Sequence, residues 1–159
     1  LNYPLPGSWL NRFSHGIPAI LREGRRPVMI VKNEALPLTD LLLLYDGSLK
    51  SKEGLFIAAY LGATRSARTT LLSLDQGQAN FDAVVSDAKK YLDLFQLPYH
   101  YEIAKGGSLA ERAASLAEEQ HISTLICGGY SGTGLLDRII GSEVDELLQK
   151  VEMPVLICQ

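Results

Sequence analysis

The sequence predicts an α/β fold, a parallel β-sheet with helices on both faces. Three observations lead there. Apolar runs of strand length alternate four times with longer amphipathic segments, and a fifth apolar run closes the chain. One run, Leu41-Leu42-Leu43-Leu44, is continuously apolar, as a strand covered on both faces must be. Turn-forming residues separate each run from the segment after it, so each strand returns through a helix by a right-handed crossover.

The elements follow in order. Pro4, Pro6, Gly7 and Ser8 mark an irregular start that carries the apolar Trp9, Leu10 and Phe13. Ile17, Ile20 and Leu21 recur at near-helical spacing, and Gly24 ends that segment. Residues 28–31, after Pro27, form a short apolar strand, and residues 33–38 a linker. The second unit begins with the leucine strand and the turn Tyr45-Asp46-Gly47-Ser48. A helix over 52–61 turns Leu55, Ala58, Ala59 and Gly62 inward. A strand at 69–74 precedes a long helix over 81–97, which Pro98 stops. The alternating 99–103 is a strand near a sheet edge. Ser108 and Glu111 form a capping box for a helix reaching about residue 119. Strand 124–127, a glycine-rich stretch, helix 142–150 and strand 154–158 complete the chain.

At 159 residues the chain suits one ordinary domain with a sizeable core. Its 47% hydrophobic and 21% charged content is that of a globular protein. A net charge of −3 gives no electrostatic attraction for nucleic acid or an anionic membrane surface. The apolar runs are too short to span a bilayer, and the first residues lack the basic-then-apolar order of a signal peptide. Two cysteines without metal spacing point to a reducing, cytoplasmic setting.

The stretch from Cys127 to Ser142 holds the strongest functional signal. Four glycines, Gly128, Gly129, Gly132 and Gly134, follow the apolar Leu125-Ile126-Cys127, and Gly141-Ser142 opens the last helix. Glycine allows close approach of backbone to ligand, and helix-start N–H groups suit a phosphate. It is not a P-loop, because no lysine lies between Lys105 and Lys150. Nor is it a dinucleotide fingerprint, because Asp137 stands where the third glycine of Gly132-Thr133-Gly134 belongs. A glycine-rich connection that binds nothing is the alternative. Ligands of such sheets sit beyond the carboxyl ends of strands where the strand order switches, which brings Asp46 and Gly128 to one crevice if their strands are neighbours.

An internal repeat is also present. Pro27-Val28-Met29-Ile30 aligns with Pro154-Val155-Leu156-Ile157, each after a helical segment. With Leu1 rather than Met in first position, residues 1–37 read as the tail of a preceding unit plus linker, and 38–159 as a whole domain.

On Asp46-Gly47-Ser48, on the glycines from Gly128 to Gly141-Ser142, and on the Pro-Val strand that follows, the chain resembles the universal stress protein family. The likeness covers about residues 38–159, plus the tail at 14–33. It implies a three-layer αβα domain of adenine nucleotide alpha hydrolase-like type. Its parallel sheet would have five strands in the order 3-2-1-4-5. Residues 28–31 would add one strand, antiparallel to 155–158. Members with an intact glycine motif typically bind ATP, and they pair as dimers or tandem pseudo-dimers through the last strand. By position, Asp46 would meet adenine or ribose and Leu74 would line the base. Cys127 and Gly128 would contact ribose, Ser131 and Gly132 would wrap ribose and phosphate, and Gly141 and Ser142 would hold phosphates. The implied ligand is ATP, AMP or ADP, with or without Mg²⁺, in stress-responsive assembly or signalling. A nucleotide-free dimerisation module is the alternative and a slow ATPase a weaker one, with no catalytic residue assigned.

Two positions depart from the family pattern. Ser131 stands where the second glycine belongs, and Glu143 where a small apolar residue is usual. Each candidate also has a structural alternative. Asp46 can brace its turn, Ser142 can cap its helix with Asp145, Leu74 can be core, and Tyr45 can fill the pocket. Cys127 and Cys158 read as buried thiols, with a redox pair as the alternative. His15, His100 and His121 are scattered and form no metal set. No Gly-x-Ser-x-Gly elbow is present.

Overall fold

A computed structural model describes residues 25–33, 37–128 and 143–159. Its elements, in chain order, are β1 (Val28–Ile30), β2 (Asp40–Leu44), α1 (Leu49–Arg65), β3 (Arg68–Asp75) and α2 (Phe81–Leu94). β4 (Tyr99–Lys105), α3 (Leu109–Glu119), β5 (Thr124–Gly128), α4 (Glu143–Lys150) and β6 (Val155–Cys158) follow. One six-stranded sheet runs in the order β1-β6-β5-β2-β3-β4. All neighbours pair in parallel except β1, which is antiparallel to β6. Removing β1 leaves the expected 3-2-1-4-5 order, with β2 at its centre.

The leucine run explains the centre. Leu41 to Leu44 are all buried, and alternate side chains point to opposite faces. Leu42 and Leu44 join Leu72, Leu125, Cys127, Val155 and Ile157 beneath α3 and α4. Leu41 and Leu43 join Leu71, Ile126 and Cys158 beneath α1 and α2. The result is three layers, helices on sheet on helices. Gly54 is where α1 rides closest to the sheet. A β-carbon there would lie 2.8 Å from Leu43 Cδ1 and 3.1 Å from Ile126 Cγ2.

Two helix boundaries differ from expectation. α1 starts at Leu49 rather than residue 52, because the Ser48 hydroxyl accepts from Ser51 N and caps the helix there. It continues to Arg65, and Ser66 closes it in the left-handed conformation at φ 56°. α2 stops at Leu94 rather than 97, because Gln96 turns to φ 53° ahead of Pro98. α3 starts as expected, with Ser108 Oγ accepting from Glu111 N.

β1 is fastened at its far end as well as along the strand. The Lys32 ammonium donates to the Val151 carbonyl, and it lies 3.8 Å from a Glu152 carboxylate oxygen. Asn33 Nδ2 donates to Glu152 at 3.2 Å. Burial lowers the Lys32 pKa, and Glu152 opposes that shift. Among the described residues no helix is long and apolar enough to cross a membrane.

Candidate functional site

The chain leaves β2 for β3 and β4 on one side and returns to β5 and β6 on the other. The strand order therefore switches between β2 and β5, and the crevice lies at their carboxyl ends. Asp46 follows β2, Gly128 ends β5, and Leu74 is the penultimate residue of β3.

Asp46 sits in a tight turn. Its Oδ1 accepts from Ser48 N at 2.9 Å, and Gly47 takes φ 79°. The same turn presents Ser48 as the α1 cap, so Asp46 is held rigidly against a helix start. Its second oxygen, Oδ2, is buried and accepts no hydrogen bond from the described residues. A buried unpaired acceptor costs about 1–3 kcal/mol, so it needs a reason.

Gly128 faces this turn from β5. A β-carbon at 128 would lie 3.1 Å from Lys50 Cβ and 3.4 Å from Ser51 N. A side chain at 128 would make the first turn of α1 yield by a few tenths of an ångström. The half-buried Lys50 thereby stands beside the point where the chain leaves β5. The sequence reading passed over Lys50, although it lies one turn after Asp46.

The remaining candidates divide. Leu74 is half-buried, and its carbonyl accepts from Gln78 Nε2 at 3.2 Å. The Cys127 side chain is spent in the core beneath α3 and α4, so only its backbone can face the crevice. Ser131, Gly132, Gly141 and Ser142 lie outside the described residues, as does the side chain of Glu143. Tyr45 is 3% exposed and part of the core beneath α1 and α2. Burial pushes its phenol up to about 12. Its carbonyl accepts from Ser73 Oγ at 2.5 Å, and Ser73 also shares a hydrogen bond with Tyr101 Oη at 2.8 Å.

Among the described residues no three His, Cys, Asp or Glu side chains gather as a metal set. The arrangement is suited to holding a ligand that offers a donor to Asp46 and lies along the backbone at Gly128.

Neither a protein-family model nor a curated protein sequence matches the chain. Solved structures do match it. A universal stress protein from Archaeoglobus fulgidus is similar over 98% of this chain at 17% identity, with a TM-score of 0.77. The chain spans only 57% of that protein's length. A universal stress protein in complex with cAMP is 19% identical over 79% of this chain and 98% of its own, with a TM-score of 0.61. A universal stress protein from A. fulgidus in complex with dAMP is 13% identical over 78% of this chain and 99% of its own, with a TM-score of 0.58. Strand order, the extra antiparallel strand and these likenesses agree: the chain has the universal stress protein fold.

Proposed function

We propose that the chain is a universal-stress-type module that binds an adenine nucleotide, ATP or AMP, in the crevice between Asp46 and Gly128. The observation that carries this reading is the Asp46 carboxylate. One oxygen is tied to its own turn, and the other is buried without a donor among the described residues, beside the approach of Gly128 to α1. A ribose hydroxyl or an adenine amino group would supply that donor. The amides near Gly141 and Ser142 would then hold the phosphates, with Mg²⁺ as a companion ion. The cAMP and dAMP complexes of proteins with this fold support the ligand class. On this reading binding changes assembly or partners under stress, without a catalytic cycle, in the cytoplasm.

Equilibrium titration with a fluorescent ATP analogue, with and without Mg²⁺, tests the proposal. A saturable signal displaced by ATP and AMP is expected. No signal at millimolar nucleotide overturns it.

One observation favours a second reading, a nucleotide-free assembly module. The repeat equates Val28 with Val155 and Ile30 with Ile157, and the sheet pairs Val28 with Ile157 and Ile30 with Val155. The pairing is thus symmetric about Met29 and Leu156. On this reading β1 stands in for the last strand of a second such unit, and residues 1–37 are the tail of a preceding domain.

A further inference from the structure

The sheet changes character toward its amino end. Four of the buried polar residues gather there: Thr69, Thr70, Ser123 and Thr124. A cleft of about 400 Å³ opens at the same end, opposite the nucleotide crevice, with Pro98 and Ile122 among its walls. Such a volume matches a small-molecule site.

Its polar groups come from three strands and a helix end. Asp40 pairs with Arg68 and Thr70 with His100 in the parallel ladders, so all four side chains project from one face. That face lies under α3, whose cap Gln120 also lines the cleft. Each acid nearby already has a cation. Arg68 Nε donates to Asp40 Oδ1 at 2.6 Å, and the Ser123 hydroxyl fixes the Asp40 backbone through bonds of 3.0 Å to its N–H and carbonyl. Arg112 pairs with Glu102 and, at 3.1 Å, with Glu119.

The groups left over are donors. Thr70 Oγ1 donates to Gln120 Oε1 at 2.5 Å, which leaves the Gln120 amide nitrogen to donate. The Arg68 guanidinium is 77% exposed, with Nη1 outside its pair to Asp40. The His100 imidazole is 60% exposed, lies 3.7 Å from Glu102 and offers a ring N–H. With the acids already paired, this set suits one negative charge rather than the several of a polyphosphate.

We propose that this cleft is a second ligand site. It takes a small carboxylate with a short apolar body, the carboxylate between Arg68 and His100 and the body against Pro98 and Ile122.

The test is NMR titration of ¹⁵N-labelled protein with sodium benzoate, at ionic strength held constant with sodium chloride. Benzamide serves as the neutral control. Saturable shifts at Gln120 Nε2, Arg68 Nε and the His100 ring are expected with benzoate and absent with benzamide. Arg68→Gln and His100→Gln should each weaken binding by about tenfold, the loss of one charge-assisted hydrogen bond. Three results overturn the proposal: shifts that grow linearly with benzoate, equal shifts with benzamide, or variants that bind as the wild type does. The wild-type titration decides the matter even if a variant fails to fold. It is also independent of whether ATP binds at the other end of the sheet.

Discussion

Gly128 and Lys50 meet across the crevice: a β-carbon on residue 128 would lie 3.1 Å from Lys50 Cβ. That contact fixes how close β5 can end to the first turn of α1. Gly128→Ala should cost about 1 kcal/mol, because the helix start must yield by a few tenths of an ångström. Gly128→Val should cost about 2–3 kcal/mol and abolish nucleotide binding by parting the two walls. Urea denaturation gives the first quantity, and titration with the fluorescent nucleotide the second. A Gly128→Val protein with wild-type midpoint and affinity would mean that the close approach has no role.

Asp46 separates the binding reading from a purely structural one. Asp46→Asn keeps an oxygen to accept from Ser48 N, so the turn and the α1 cap should survive. What changes is Oδ2, the buried oxygen without a donor among the described residues. If that oxygen holds the nucleoside, affinity should fall by about tenfold, the worth of one hydrogen bond to a charged group. Stability should stay within about 0.5 kcal/mol of wild type, since the amide nitrogen replaces one unpaired buried polar atom by another. Unchanged affinity with a lowered melting temperature would make Asp46 a turn brace only.

These residues also mark what the sequence could and could not disclose. The central strand was legible because four consecutive leucines leave no polar face. Ser108 was legible because an N-cap acts on the residue three positions away. β1 was legible through its repeat of the Pro-Val strand. The ends of α1 and α2 were not, because backbone turns at Ser66 and Gln96 decide them and neither residue is a habitual helix breaker. The Gly128–Lys50 contact joins residues far apart in the chain, so no local spacing announces it. The amino-end cleft draws on three strands and a helix cap, and its residues are unremarkable singly. Four of the eight site candidates, Ser131, Gly132, Gly141 and Ser142, lie outside the described residues, and nucleotide titration bears on them directly.

β1 covers an edge of β6 whose backbone N–H and C=O groups would otherwise lie unpaired. Deleting residues 1–33 removes the strand together with the Lys32 contact to Val151 and the Asn33 contact to Glu152. The exposed partner is Val155–Cys158, a strand with three of four residues buried in the present sheet. The shortened chain should self-associate through β6, with Leu156 opposite Leu156 of a second copy. Light scattering should then show a dimer whose fraction grows with concentration. A strict monomer at 100 micromolar, on the order of a weak interface's dissociation constant, would show that the edge does not recruit its own kind.

Cys127 and Cys158 sit on adjacent strands, but β5 and β6 pair Cys127 with Ile157 and Gly128 with Cys158. The two thiols therefore point to opposite faces, Cys127 beneath α3 and α4 and Cys158 beneath α1 and α2. No disulfide can join them without breaking the sheet, so they are separate core thiols rather than a redox pair. Burial pushes both up to about 12 from an ordinary value near 9. In the unfolded chain the thiols lose their protons near pH 9, while in the native state they keep them until about pH 12. Over that window the unfolded state binds fewer protons, so stability must fall as pH rises and level off above it. Tyr45 adds to the fall above its ordinary value of 10. Urea midpoints should therefore drop between pH 8.5 and about 11, and Cys127→Ala should flatten that slope despite a lower stability at neutral pH. Native protein should also resist a thiol-specific reagent at pH 8 until denaturant is added. A midpoint independent of alkaline pH, or immediate labelling of both thiols, would contradict the burial from which this prediction follows.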